Sequence, residues 1–355
     1  MPSPCRQAGV AVITALLLTT LAVTIVASLF WQQQVQVRSI ENQRTQLQKQ
    51  WILRGALDWA RLILDESHRS NPKFDDLQQP WAVGLAETRL DSYVENGRSG
   101  ADASDATITG KIIDAQSYFN LAGLAVNGVP KVEEVEAFRR LLLLLRIEPA
   151  LARTAASGIA AGQSKSMPAA AGSATGAATV APVPQQGSQT TGLQSAANTD
   201  GPAIVVQPTA AATGQMGITQ VEDLLALPGF TPEIIAKLKN FIIILPVPTL
   251  INVNTASAEV LAARFGVPIS TGQAMVASRG TAAFKDDADF AARARAQLPA
   301  SVTLSGFGVK SSYFIVDGRV KMSRAGLEVL ALIERPPSNG PTGASPSKVV
   351  WIHEN

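Results

Sequence analysis

The sequence predicts an α+β protein: a long amino-terminal helix packed on an antiparallel sheet, with an all-helical domain inserted into the head. Three observations carry that expectation. An uncharged run of membrane length continues into an amphipathic helical stretch, β-like segments stand at both ends of the remaining chain, and tandem helical hairpins lie between them. At 355 residues with 46% apolar side chains, the chain can fill more than one core. Its 30 basic and 28 acidic side chains leave a formal charge of +2, so neither sign is in excess to hold a polyanion or a polycation. The two histidines, His68 and His353, are far apart, and the single cysteine, Cys5, sits near the start. Zinc-type ligand spacing and thiol chemistry therefore lack raw material.

From Val10 to Trp31 runs VAVITALLLTTLAVTIVASLFW, without a charge; as a helix it rises roughly 33 Å, enough to cross a bilayer. Arg6 is the charged side chain ahead of it, and with the free amine it favours a cytoplasmic amino end. A polar stretch then leads into Leu53, Leu57, Ala60 and Leu64, spaced by four, three and four residues. This spacing predicts one helix running to about Ser67 and packing its second half on a head, ended by Asn71-Pro72.

A short basic leader ending in Gly9, followed at once by a long apolar helix, resembles the type IV prepilin class. The resemblance implies cleavage after Gly9 and methylation of the new first residue, Val10, which would remove Cys5 with the leader. Pilins usually carry a glutamate at the fifth mature position, where this chain has Thr14. In that class the buried carboxylate is thought to neutralise a neighbour's amine, since a lone charge in a bilayer costs roughly 2.5–3.5 kcal/mol on insertion scales. A subunit with nothing ahead of it has no such amine to compensate. An uncleaved anchor and a signal peptide cut near Val26-Ala27-Ser28 are the competing readings, and the apolar run exceeds the usual 7–15 residues of the latter.

Strands are expected at Thr88 to Val94 and Ala106 to Asp114, with a polar turn from Glu95 to Asp105 between them. The segment DAQSYFNLAGL, Asp114 to Leu124, resembles the stretch that follows the early strands in the secretion pathway protein K family, the large minor pseudopilins of type II secretion. Phe119 and Leu121 are expected to be buried there and Asn120 to satisfy backbone groups. Val132 to Arg146 reads as a helix, with acids in its first turn and arginines later. Thr154 to Gly217, dominated by Ala, Gly, Ser, Thr, Pro and Gln, reads as a flexible linker without the apolar mass to offset its ordering entropy.

Two tandem hairpins follow. In Thr219 to Leu245, Pro228-Gly229 breaks the chain and Thr231-Pro232 starts a helix. In the second, Asn254 or Thr255 is expected to cap a helix to Phe265, and another runs from about Thr271 to Ser278 after Gly266 and Pro268. Both resemble helix-hairpin-helix motifs, and NVNTASAEVLAA also resembles their start in DNA-uptake receptors. Charge argues against nucleic acid. Lys237, Lys239, Arg264, Arg279, Lys285, Arg293 and Arg295 are matched one for one by Glu222, Asp223, Glu233, Glu259, Asp286, Asp287 and Asp289, where a DNA reader shows a basic footprint. Each hairpin also keeps one glycine where phosphate-binding loops use two.

Strands return at Tyr313 to Val316 and Arg319 to Met322, with Asp317-Gly318 read as the turn between them, then at Leu327 to Ile333 and Val349 to Ile352 around a Pro/Gly/Ser loop, Pro336 to Ser347. The expected organisation is a prepilin leader (1–9), a transmembrane helix (10–31), the first part of a pilin-like head (32–153), a linker (154–217), an inserted helical domain (218–300) and the head's last strands (301–355). Phosphate loops, nucleophile elbows and His-bearing metal helices are missing, which argues against an enzyme. Acidic clusters at Asp75-Asp76, at Asp102 with Asp105, and at Asp286, Asp287 and Asp289 match no twelve-residue calcium loop and read as solvated surface. The family resemblance still raises calcium as a candidate ligand, with no ligand set identified.

What the resemblance implies is a minor pseudopilin at the tip of the type II secretion pseudopilus, supporting export of folded proteins from the periplasm across the outer membrane. It would be single-pass in the bacterial inner membrane with its bulk in the periplasm. Its partners would be other minor pseudopilins, the major pseudopilin, the prepilin peptidase and the inner-membrane secretion platform. A bulky insert suits a cap, because such a subunit would clash if stacked along a shaft. The rival reading is a membrane-anchored helix-hairpin-helix DNA-binding protein resembling a competence receptor.

Overall fold

The computed structural model describes residues 8–89, 107–166, 217–299, 301–322, 325–336 and 346–354. Helix α1 (Ala8–Ser70) is one uninterrupted rod, about 95 Å long at the usual rise per residue. A short 3-10 turn (Pro80–Ala82) leads to β1 (Leu85–Arg89) and β2 (Thr107–Asp114). Next come β3 (Phe119–Asn120), β4 (Ala125–Val126), β5 (Val129–Pro130), α2 (Val132–Leu144) and α3 (Leu151–Ser166). From residue 217 the chain forms a 3-10 turn (Val221–Ala226), α4 (Pro232–Leu238), β6 (Ile242–Ile243), β7 (Ile251–Asn252), α5 (Ala258–Phe265), α6 (Ile269–Thr281), α7 (Asp287–Arg295) and β8 (Phe307–Gly308). It closes with β9 (Tyr313–Met322), β10 (Ala325–Glu334) and β11 (Lys348–Glu354).

Two compact units result: a head of residues 1–117, 250–257 and 273–355, and a helical unit of residues 118–249 and 258–272. In the head, an antiparallel sheet of order β1-β2-β9-β10-β11 lies against the second half of α1. Leu53, Leu57, Ala60 and Leu64 are all buried, as their spacing predicts, and they meet Trp81, Phe314, Val316, Val329, Ala331 and Ile333. Trp81 stands edge-on to Phe314 with ring centroids 5.2 Å apart. The four-three-four spacing places one side chain per turn over the alternate residues of β9 and β10, so two periodicities mesh in a single seam. Each large side chain buried there contributes about 1.5–3 kcal/mol.

The sheet corrects one turn. Asp317-Gly318 is not a hairpin: β9 runs straight through it, with Gly318 opposite Gly110 of β2 and Val329 of β10. A Cβ on Gly110 would stand 3.3 Å from the Asp317 carbonyl oxygen. The glycines mark a close approach of neighbouring strands inside a sheet, which produces the same sequence signal as a turn. Strand β9 instead runs on to Met322, which pairs with Ala325, the first residue of β10. At the other edge β1 begins at Leu85, three residues before the expected Thr88, while the expected end at Val94 lies outside the described residues.

The helical unit corrects two boundaries. Thr154 to Ser166, assigned to a linker by composition, belong to α3, in which Ala155, Ala156, Ile159 and Ala160 are buried. Alanine is the strongest helix former, and its small side chain lets helices approach closely, so an Ala-rich segment need not be low in structure. The unit also begins at Tyr118, far ahead of the expected residue 218, because Phe119, Leu121, Phe138, Leu141 and Leu142 supply its core. Residues 250–257 and 273–299, expected in the insert, count with the head. Phe119 stacks on Phe138 at 5.7 Å. Asn120 does what was expected of it, accepting from the N–H groups of Ala122 and Leu245 and donating to the Val247 carbonyl.

The two readings of Thr154 to Ser166 separate in a single substitution. Ala155→Asp places a carboxylate in a fully buried site and should lower stability by several kcal/mol, whereas Ser157→Asp, on the exposed face of the same helix, should change it by less than about 0.5 kcal/mol. Thermal unfolding of the detergent-extracted chain measures both.

Candidate functional site

Two places in the head are built for more than packing: the bare half of α1 and a buried polar centre. Every described side chain from Val12 to Arg44 is exposed, and α1 carries an apolar window long enough to cross a membrane. Its hydroxyl groups are turned inward. Thr19, Thr20 and Thr24 donate to the carbonyls of Leu16, Leu17 and Leu21 at 2.9, 3.0 and 2.8 Å, which suits a helix in hydrocarbon. Gly9, Val10 and Thr14 all lie within the first two turns of this helix. Where α1 joins the head, an apolar groove of about 290 Å³ opens between it and β1–β2, rimmed by Trp59, Ile63 and Leu85.

The polar centre forms around Asp114, the last residue of β2, which is buried. Its Oδ2 accepts from Ser311 Oγ at 2.6 Å, Thr255 Oγ1 at 2.5 Å and Asn252 Nδ2 at 2.9 Å, and its Oδ1 accepts from the Gln116 N–H at 2.8 Å. Asn252 Nδ2 also reaches the Asp75 carbonyl at 3.1 Å. Asp75 and Arg335 form a buried ion pair, Arg335 Nη2 donating to Asp75 Oδ2 at 2.5 Å and to the Ser311 carbonyl at 2.7 Å. The Ser311 N–H donates to the same Asp75 oxygen at 2.8 Å. The Arg335 guanidinium also lies 4.7 Å over the Phe314 ring. Asp75 Oδ1 and Arg335 Nη1 are buried with no hydrogen-bond partner among the described residues. Losing either partner of such a pair typically costs 3–5 kcal/mol, because the other charge is left buried alone.

Burial pushes the Asp114 carboxyl up to about 6, against the pull of the Ser311 and Thr255 hydroxyl donors. His68 moves down, through burial first and then the Arg335 charge. Burial also lowers Arg279, to about 10, so it stays a cation.

This centre redraws the acidic and helix-start expectations. Asp75 is no solvated surface residue but half of the buried pair, and Asp76 is buried too, accepting from the Gln78 N–H. Asp286 caps α7 by accepting from the Asp289 N–H at 2.8 Å, while Asp289 accepts from the Lys285 N–H at 3.1 Å. Among the described residues no group of three or more His, Cys, Asp or Glu could hold a metal ion. Asp102 and Asp105 lie outside the described residues. Neither Asn254 nor Thr255 caps α5. Asn254 instead exchanges both amide bonds with the Phe284 backbone, at 2.9 and 2.8 Å, and Thr255 turns to Asp114.

Five of the seven cations counted in this region are engaged within the fold. Arg264 forms a two-point pair with Glu134, at 2.5 and 2.9 Å. Arg279 donates to the Val253 and Ala256 carbonyls at 2.8 and 2.5 Å, and Arg293 covers the Phe284 ring at 4.2 Å. Lys239 pairs with Glu222 at 2.8 Å, and Arg295 donates to the Val302 carbonyl at 2.9 Å. The hairpin glycines have positive φ, +90° at Gly229 and +66° at Gly266, yet each is covered from within the helical unit. A Cβ would stand 2.7 Å from the Leu151 side chain at Gly229 and 2.9 Å from the Arg140 side chain at Gly266. The first half of the first hairpin is a 3-10 turn, not an α-helix.

Sequence reasoning missed Asp114, Asn252, Ser311 and Arg335 as a set. A polar NVNT run inside apolar sequence was the one available signal, and it pointed to a different chemistry.

Comparison with known proteins matches residues 117–247 and 251–310 to two family models, each described as type II secretion system protein K. A type II secretion system protein K of Pseudomonas aeruginosa is 25% identical over 338 residues, covering 93% of this chain and 89% of that protein. One from Aeromonas hydrophila is 29% identical over 157 residues, a match spanning 42% of this chain and 44% of that protein. Among solved structures, the chain resembles one in a crystal structure of the GspK–GspI–GspJ complex from the enterotoxigenic Escherichia coli type 2 secretion system. The TM-score is 0.54 at 18% identity, over 89% of this chain and 98% of that one.

The raised Asp114 carboxyl fixes the sign of a pH effect. Asp114 holds its proton more tightly folded than unfolded, so its contribution to stability is complete below about pH 4 and is lost as pH rises through about 6. His68 runs the other way, so the comparison with a variant isolates Asp114. Asp114→Asn should lower stability at every pH, since an amide nitrogen cannot accept where Oδ2 does, and should remove the Asp114 share of the slope between about pH 4 and 6. Thermal melts followed by the fluorescence of buried Trp81 report both effects.

Proposed function

We propose, because this chain belongs to the type II secretion system protein K family and is by that membership a minor pseudopilin of type II secretion, that it caps the pseudopilus as a membrane-anchored, non-enzymatic subunit. The observation that carries this reading is α1. Its first half carries the apolar window and is exposed along its length, and its second half is the backbone of the head's core. Such a rod needs a membrane before assembly and neighbouring helices after it.

On this reading the inner membrane holds α1, with the head and helical unit in the periplasm, and the prepilin peptidase cuts after Gly9 so that the mature chain begins at Val10. Thr14 in place of the usual glutamate fits a subunit with no neighbour ahead whose amine needs a counter-charge. Two smaller minor pseudopilins are the proposed head partners, in the manner of the complex that the structural relative forms. The major pseudopilin and the inner-membrane secretion platform are the proposed contacts below. Arginines consumed by internal pairs, and hairpin glycines covered by side chains, leave the DNA-receptor alternative without an electrostatic footprint.

The deciding measurement is intact mass of the chain extracted from membranes with and without active prepilin peptidase. A start at Val10 that depends on the peptidase is expected, with a methyl group on its amine. Gly9→Val should leave the precursor uncut. A chain that starts near Leu29, or still at Met1 beside active peptidase, would overturn the reading.

A further inference from the structure

Helix α1 bears two apolar stripes on opposite faces. Leu53, Leu57, Ala60 and Leu64 face the sheet. Roughly 150° around the helix stand Val37, Ile40, Leu47 and Trp51, exposed by 53, 63, 58 and 69%. With Arg44 between them, these positions are spaced three, four, three and four residues apart, the repeat of a two-helix seam. The row runs from about 9 to about 30 Å beyond Trp31 along the helix, a stretch that a helix rising from the same bilayer lies alongside from end to end. A single surface helix has no use for four large apolar side chains on the face turned away from its own core.

Resting on the pilin reading above, we propose that this second stripe is the seam for one parallel helix from a different membrane-anchored subunit, and that the helix carries a carboxylate at the level of Arg44. The charge on the seam makes the choice. In a parallel pair of identical chains, Arg44 would face its own copy across a partly desolvated contact, which a helix bearing Asp or Glu converts from repulsion to attraction. The flanking positions Gln36, Gln43, Gln48 and Gln50 are uncharged amides, with Glu41 the one charge among them. Selection of the partner therefore falls on Arg44, and self-association is blocked by the same side chain.

The test uses the full chain. Arg44→Leu completes an apolar row and should turn the detergent-extracted chain from monomer to dimer in sedimentation, while Arg44→Leu with Leu47→Asp should return it to monomer. In membranes that also contain the other pilin-like subunits, Leu47→Asp and Arg44→Glu should each lower their co-purification by roughly tenfold, with the thermal transition of the head unchanged because both residues are exposed. An Arg44→Leu chain that stays monomeric, a wild-type chain as dimeric as the variant, or undiminished recovery with Leu47→Asp overturns the seam. The start of the chain, measured in the same extracts, separates the two ideas. Processing at Val10 with undiminished recovery sinks the seam and keeps the pilin reading. A dimer of the Arg44→Leu chain without processing at Val10 does the reverse.

Discussion

The Asp114 carboxylate is the constraint around which the head is organised. It ends β2 at the point where the chain departs for the helical unit, and the groups that donate to it fix the two places where the chain comes back. Asn252 and Thr255 belong to the first return, and Ser311 stands two residues before β9. Ser311 in turn joins Asp75, just past the end of α1, to Arg335, just past the end of β10. A long insertion imposes an entropic cost on the strands it separates, and that cost grows only slowly with length. What such a fold needs is a specific closure, and directional bonds to one buried carboxylate supply it where an apolar contact would tolerate slippage.

That role explains why the second hairpin resembles a DNA reader in its residue types. The NVNT run keeps the residue types of the motif it resembles, but Asn252, Asn254 and Thr255 are buried and aimed at Asp114 and the Phe284 backbone. Arg279, which a phosphate reader would present to solvent, caps the carbonyls of the same loop. A motif fixes local geometry. Whether its polar groups face a ligand or the interior depends on what packs over it, and that lies elsewhere in the chain.

Elements whose signal is local were legible in the sequence. The stripe from Leu53 to Leu64, β2, α2, the start of α4 at Thr231-Pro232 and the duty of Asn120 follow from spacing and capping chemistry, and all stand as expected. The failures share one cause: a local signal with two physical origins. Asp-Gly marks a tight turn or a close strand approach, and only the partner Gly110 decides which. An Ala-rich run is a poor core or a closely packed helix, and only the neighbouring apolar residues decide. The ion pair of Asp75 with Arg335 joins residues 260 positions apart, so no local window of sequence contains both halves.

The division of labour along α1 follows from the same chemistry. Through the membrane window no side chain carries a charge, so no face is singled out electrostatically and lateral packing there is permissive. Beyond Trp31 water makes apolar surface costly, and the helix can afford only stripes. One stripe is consumed by the head, where it meets β9 and β10, and the other is left facing outward with an arginine in its row. A charge within an apolar row weakens any contact that does not answer it and favours the one that does. Discrimination between neighbours is thus confined to the aqueous part of the rod, where pairing or failing to pair one cation changes the outcome.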